Sequence, residues 1–275
     1  GGREDIRDYR RKNYKQIMIP KIIHYCWFGG NPLPKSAIEC IESWKRFFPD
    51  YEIKEWNESN YDVHKIPYIH EAYEAKKYAF VSDYARFDIL YHEGGLYFDT
   101  DVKVIKSFDK IIARGPFMGR EAGAYLRNIC NTEGDGLAVA PGLGLGVNPG
   151  LGLYKELLDA YKDLSFLNSD GSLNTKTIVC YTSEILVKHG LSHNNDEAEE
   201  VAGLWIYPAD VFCPMDHTNG NKVTITDRSV SIHLYDCSWL DHKTMKWRLH
   251  LLKNWMIRTF GGEKVGKLMK LIKKK

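Results

Sequence analysis

With 275 residues, 44% hydrophobic and 27% charged, the chain can bury a sizeable core as one large or two small domains, which excludes a disordered or fibrous protein. The formal net charge of +2 conceals an uneven split: from Lys243 to Lys275 eleven Lys and Arg face one acid, Glu263, so the remainder carries −8. Six scattered cysteines form no C-x-x-C pair, which excludes the usual zinc spacings, argues against a disulfide framework and points to a reducing compartment.

In chain order, residues 1–17 are charged and without period, and Gly1-Gly2 looks like a cleavage scar. This segment is expected to be an arm that is either appended ahead of Met18 or mobile. No apolar core of a signal peptide precedes Met18 and no run reaches membrane-spanning length, so a soluble or peripheral protein is expected. Lys21 to Phe28 is apolar and β-rich and ends at Gly29-Gly30-Asn31-Pro32. Ile38, Ile41, Trp44 and Phe48 are spaced like a helix face over 35–47, and Tyr51 to Trp56 alternates as a second strand. Residues 67–93 have helical spacing, as one helix or two, and Gly94-Gly95 stops them. Leu96-Tyr97-Phe98 is a short strand that ends in Asp99, and Val102 to Ile105 resumes an extended pattern. Leu137 to Ala140 reads as a buried strand, Pro141 to Gly146 as a Gly-rich loop, and helices follow near 150–162 and 182–189. Leu204 to Tyr207 and Ser229 to Tyr235 suggest late strands. Strands alternating with helices predict an α/β domain with a mostly parallel central sheet over 18–240, then a basic helical tail over 241–275.

The acidic pair Asp99-x-Asp101 follows a short apolar strand, and in open α/β sheets ligands bind beyond the carboxyl ends of strands. Two carboxylates one residue apart can approach a single hard cation that shares substrate phosphates. Such triplets are more often solvated loops. If the segment upstream is helical, Asp83 and Arg86 share a face, either to hold a sugar and a phosphate or as a plain i,i+3 ion pair.

Taken together, Ser82-Asp83-x-x-Arg86 followed by Gly94-Gly95-x-Tyr97-x-Asp99-x-Asp101 resembles the signature of glycosyltransferase family 32. These are DXD-bearing sugar transferases that include bacterial capsule enzymes and yeast Golgi mannosyltransferases, and the pattern is more distantly similar to the glucosylating bacterial toxins. Ile19 to Gly30 also looks like that family's first strand and loop, Pro49-x-Tyr51 with Trp56-Asn57 fits its second strand, and His233 with Ser238-Trp239 is a weaker echo. The strong resemblance covers roughly residues 19 to 110. It implies a GT-A fold (Rossmann-like, binding a nucleotide-sugar), a nucleotide-diphosphate sugar donor, Mn²⁺ or Mg²⁺, and retention of anomeric configuration. It further implies that Trp27 stacks on the base, Asp83 and Arg86 hold the donor sugar, and Tyr97 lines the donor site. Asp99 would contact ribose or sugar and the metal, and Asp101 would ligate the metal directly.

The remaining features read two ways each. Trp27 before Gly29-Gly30 suits base stacking or a core position. His233 on a strand is a third metal ligand or a structural histidine; Ser238 and Trp239 would contact the diphosphate, and Ser238 is a second possible ligand. The Gly142-Gly144-Gly146 loop is a mobile element near the site, with Asn148 reaching in, or a flexible turn. The tail interleaves Trp247, Leu249, Trp255 and Ile257 with basic residues, as in helices that lie on anionic membranes, or it docks on the domain; no nucleic-acid module is present.

The expectation is a retaining, metal-dependent hexosyltransferase using a nucleotide-diphosphate sugar, UDP-linked first. Its acceptor would be a glycan or lipid-linked glycan in surface polysaccharide biosynthesis, at the cytoplasmic face of a bacterial plasma membrane. The rival is a non-catalytic, metal-dependent glycan-binding module. A phosphatase with a DxDx[TV] nucleophile loop fits less well, because Lys103 stands where Thr or Val is required.

Overall fold

The computed structural model describes residues 18–130, 135–216 and 222–235. The arm 1–17, Ser238, Trp239 and the tail 241–275 lie outside the described residues. The strands are β1 (Ile22–Cys26), β2 (Glu52–Trp56), β3 (Gly95–Tyr97), β4 (Val102–Val104), β5 (Phe117–Tyr125), β6 (Leu137–Val139), β7 (Leu145–Val147), β8 (Glu199–Val201), β9 (Leu204–Tyr207), β10 (Met215–Asp216), β11 (Lys222–Val223) and β12 (Ser231–His233). The longer helices are α1 (Lys35–Phe47), α2 (Pro67–Glu74), α3 (Tyr78–Glu93), α4 (Gly152–Lys162) and α5 (Ile178–Lys188).

The main sheet runs β2-β1-β3-β7-β5-β9-β8, with β6 on β5. β1 pairs in parallel with β2 and β3, and β5 with β9, so five of the eight strands share one direction, as expected of the mostly parallel sheet. The Gly-rich segment departs from the loop reading: its second half is β7, which runs antiparallel between β3 and β5. Glycine permits this, because a Cβ on Gly146 would overlap the Phe117 ring. Period-two alternation buries both faces. Ile23 and Tyr25 of β1 point into one core with α1, whereas Cys26 points into the other with α2, α3 and α4. Phe48, Phe98, Phe108, Phe117 and Phe212 meet at centroid separations of 5.5 to 6.1 Å beneath α1; each such burial is worth about 1.5–3 kcal/mol.

Residues 67–93 form two helices. The break comes at Ala75-Lys76-Lys77, where Lys76 has φ 57 and the Lys77 N–H reaches back to Ala72 O. On α1 the inward face is Ala37, Cys40, Ile41 and Trp44; Ile38, assigned to it from spacing, is 48% exposed. Trp44 fixes the roll of the helix, since its Nε1 donates to Val102 O at 2.8 Å.

His24, fully buried on β1, accepts from Trp56 Nε1 at Nδ1 (3.0 Å), so its proton sits on Nε2 and is donated to Gly94 O (2.9 Å). Burial holds its pKa down at about 4, against the Gly94 bond that raises it. Between pH 6.5 and 4 the unfolded chain therefore binds a proton that the folded chain refuses, and stability falls as pH falls. His24 contributes up to about 3 kcal/mol to that loss. Urea midpoints should drop across this window, and the His24 ring proton resonances should show no titration above pH 5. A His24 that titrates near pH 6.5 in the folded protein would overturn the assignment.

Candidate functional site

Six elements converge on a cavity of about 340 Å³ at the carboxyl ends of β1 and β3. β1 leads directly into Trp27, whose Nε1 donates to Asn31 O at 2.6 Å, and both residues line the cavity. Helix α3 brings Asp83 and Arg86 in from its buried side; the chain after β3 brings Asp99 and Asp101; and β12 brings His233. Glu121 of β5 and Thr177 to Val179 at the start of α5 complete the wall.

The acidic corner is set by backbone bonds. Val102 N–H donates to Asp99 O (3.0 Å), which folds Asp99-Thr100-Asp101 into a turn. The Asp99 N–H donates to Gly142 O (3.2 Å). β12 pairs antiparallel with β4, His233 opposite Val102, and Leu234 N–H donates to Asp101 O (2.9 Å). This register carries His233 Nε2 to 3.2 Å from Asp101 Oδ1. Ligand atoms of Asp99, Asp101 and His233 all lie within 4.8 Å of one another. Two carboxylates and an imidazole suit a Mn²⁺-class cation, and His233 Nδ1 is buried with no hydrogen-bond partner among the described residues. These residues therefore fit a divalent metal.

Beside that corner, Arg86 Nη2 donates to Asp83 Oδ1 (2.9 Å) and lies 3.3 Å from Asp99 Oδ1, while its Nε donates to Ser82 O (3.1 Å). Its guanidinium stacks on the Tyr97 ring at 4.9 Å, and Tyr97 Oη donates to Asp99 Oδ1 (3.2 Å). The i,i+3 pair is real, and it opens onto the cavity with a third partner, Asp99, that a plain surface pair would lack. Burial pushes the Asp83 carboxyl up to about 6, although Arg86 opposes it. Burial also raises Asp99, again opposed by Arg86. For His233, burial alone would lower the pKa, and the Asp101 carboxylate outweighs it and lifts it to about 9. The corner thus draws in positive charge. Burial raises the Cys26 thiol to about 12, so Cys26 lines the cavity as a small neutral group.

Of the residues singled out in the sequence, Trp27, Asp83, Arg86, Tyr97, Asp99, Asp101 and His233 all line this one cavity. Ser238 and Trp239 lie outside the described residues, and Asn148 is not among the lining residues. Gly142 has a definite task in place of loop mobility: a Cβ there would overlap Asp99 Oδ2 and come within 3.3 Å of Arg86 Nη1. Sequence reasoning missed Glu121, which accepts from Tyr235 Oη at 3.0 Å. It sits in Gly119-Arg120-Glu121-Ala122-Gly123, a stretch with no apolar alternation to mark a strand.

Residues 34–118 match the family described as a glycosyltransferase sugar-binding region containing a DXD motif, a span that includes Asp83, Arg86, Tyr97, Asp99 and Asp101. Two inositol phosphoceramide mannosyltransferases of Schizosaccharomyces pombe are similar. Number 3 is 26% identical over 129 residues, 46% of this chain and 36% of that protein; number 1 is 30% identical over 130 residues, 42% and 38% respectively. The chain thus spans little more than a third of the length of these relatives. Among solved structures, the PaToxG glycosyltransferase aligns with a TM-score of 0.46 at 18% identity, over 66% of this chain and 76% of that one. A glycosyltransferase involved in glycosylation of the major capsid of PBCV-1 aligns with 0.42 at 11%, over 80% and 95%.

Proposed function

We propose that this chain, which carries the DXD-containing glycosyltransferase sugar-binding region in residues 34–118, transfers a hexose from a nucleotide-diphosphate sugar to a glycan or lipid-linked acceptor with the help of a divalent metal. The observation that carries this reading is the convergence of Asp99, Asp101 and His233 beside the Asp83–Arg86 pair in one cavity.

Each residue has a role that its surroundings support. Trp27, oriented by its bond to Asn31 O, stacks on the nucleobase, a contact worth roughly 1–3 kcal/mol. Asp83, paired with Arg86, accepts from hydroxyls of the donor sugar. Arg86, held between Asp83 and Asp99, presents positive charge to the diphosphate and donates to it. Tyr97 supports Arg86 from beneath and orients Asp99. Asp99, Asp101 and His233 would hold the metal, Mn²⁺ before Mg²⁺ because of the imidazole. When bound, it neutralises charge on the departing diphosphate. Transfer with retention would leave the acceptor's proton on the leaving phosphate, and Glu121, tethered by Tyr235 on the His233 side of the cavity, would accept from a sugar hydroxyl. UDP-linked sugars are the first donors to test, and the two yeast relatives, by name mannosyltransferases, add mannose to the panel. The tail 241–275 would hold the enzyme to an anionic membrane surface; vesicle flotation with and without it tests this, and equal binding would remove the idea.

Nucleotide release should be followed against UDP- and GDP-hexoses with Mn²⁺ or chelator, and the product linkage read by NMR. Metal-dependent release from one donor and a linkage of the donor's configuration are expected. An inverted linkage would sink the retaining mechanism, and glycan binding without nucleotide binding would favour the lectin-like rival.

Gly142→Ala supplies a more local test. The added Cβ must displace the Asp99 carboxylate, so kcat/KM for nucleotide release should fall about 10²-fold, the usual cost of misplacing a reacting group by an ångström. Wild-type kinetics would mean that Asp99 works from another position.

A further inference from the structure

A second cluster of ligand atoms lies outside the cavity. His64, His70 and Glu74 place their nitrogen and carboxylate atoms within 4.8 Å of one another, and His64 Nδ1 and His70 Nδ1 are 2.5 Å apart. All three side chains are exposed. The backbone beneath them is not free to drift. His70 and Glu74 stand one turn apart on α2, whose other side buries Tyr68, Ile69 and Ala72 in the core. His64 belongs to the preceding loop, which is pinned to α3: Tyr61 Oη and Lys65 Nζ both donate to the buried carboxylate of Asp88, at 2.9 and 2.6 Å. The His64 N–H donates to Asp62 Oδ1 (2.9 Å), and its ring meets the Tyr73 ring edge-on at 5.8 Å.

We propose that His64, His70 and Glu74 form a second metal site, for zinc or a cation of zinc's class. Two imidazoles and one carboxylate are the ligands that such ions select, and three protein ligands leave a fourth position for water. The oxygen-rich set in the cavity favours a harder ion, so the two sites sort different metals. A tetrahedral zinc needs its nitrogens about 3.3 Å apart at the usual bond length of about 2.0–2.1 Å; the exposed rings reach that by small rotations. Facing lone pairs at 2.5 Å repel unless a proton or a cation sits between them.

The ion would tie the loop to α2 at the edge of the donor cavity. The Tyr73 ring packs against Tyr78 at 5.5 Å with the ring planes tilted by 56°, Tyr78 lines the cavity, and Glu58 of the same loop accepts from Gly29 N–H at 2.5 Å. The site thereby braces the wall that carries Gly29 and Tyr78.

The test uses the full chain with the cavity ligand Asp101 replaced, so that only other sites bind. Zinc bound per chain is measured by equilibrium dialysis at micromolar zinc for Asp101→Asn and for the same chain with His64→Ala and His70→Ala. Loss of one zinc equivalent is expected, together with loss of the zinc-induced rise in melting temperature. His70→Ala alone should weaken binding at least about tenfold, a difference of about 1.4 kcal/mol. Because the rings are exposed, metal-free melting temperatures should agree among the variants, which guards against misfolding. Equal zinc stoichiometry and equal thermal shift with and without the histidines would overturn the site.

Discussion

Arg86→Met is expected to lower the unfolding free energy by about 3–5 kcal/mol at pH 7.5, the cost of leaving buried carboxylates without their cation. Arg86 is 4% exposed, and it is the shared partner of Asp83 and Asp99. Burial works against its own charge, and Asp99, Tyr97 and Asp83 more than compensate, so its pKa is raised above the ordinary arginine value. The same burial already raises Asp83 to about 6 with Arg86 present. Without Arg86 the folded pKa of Asp83 rises further above its unfolded value, so the folded variant takes up protons that the unfolded chain does not. The variant should therefore regain part of its stability as pH falls from 7.5 towards 5. Adding Asp83→Asn should recover part of the loss at pH 7.5. Urea unfolding of wild type, Arg86→Met and the double variant decides this. A single variant within 1 kcal/mol of wild type would mean that water reaches the pair.

Asp101→Asn should remove nearly all activity and, of the stability, only the part supplied by the ion pair with His233. Asp101 ends at the cavity beside His233, 3.2 Å from its Nε2. The amide keeps the shape of the side chain and removes the charge that would bring a divalent cation and the His233 nitrogen together. Loss of several kcal/mol of charge stabilisation at the leaving diphosphate corresponds to a fall in kcat of about 10³-fold. Nucleotide release across a Mn²⁺ titration measures it, with the unfolding midpoint as control. Full recovery of kcat at high Mn²⁺ would show that Asp101 sets metal affinity alone; full activity without added metal would end the metal-dependent reading.

How far the site was legible depends on how its residues are ordered along the chain. Asp83, Arg86, Tyr97, Asp99 and Asp101 fall within nineteen residues. A helix, a glycine stop and a short strand join them, so local periodicity is enough to set their mutual placement. His233 and Trp27 could be named but not placed, because a lone histidine or tryptophan on a strand has the same local pattern whether it lines a core or a cavity. The β12–β4 register decides the matter for His233. Glu121 escaped notice because β5 reads Phe117-Met118-Gly119-Arg120-Glu121-Ala122-Gly123, with a charge at an inward position. That charge is tolerated only because distant groups complete it: Arg120, fully buried, donates to Leu137 O, Ser192 O and the Glu199 carboxylate.

By itself the sequence determined the α/β class, the helical stretch that ends at Gly94, and the strand that delivers Asp99, since each depends on residues close to one another along the chain. The tertiary structure alone decided that β7 runs antiparallel into the sheet, that Gly142 is required by the Asp99 carboxylate, and that Glu121 and His233 face the same space. It also decided that three exposed side chains of α2 and the loop before it meet as a second ligand set. The physical reason is common to all of these: strand pairing and side-chain convergence depend on contacts between segments far apart along the chain, and local pattern carries no record of which segments those will be.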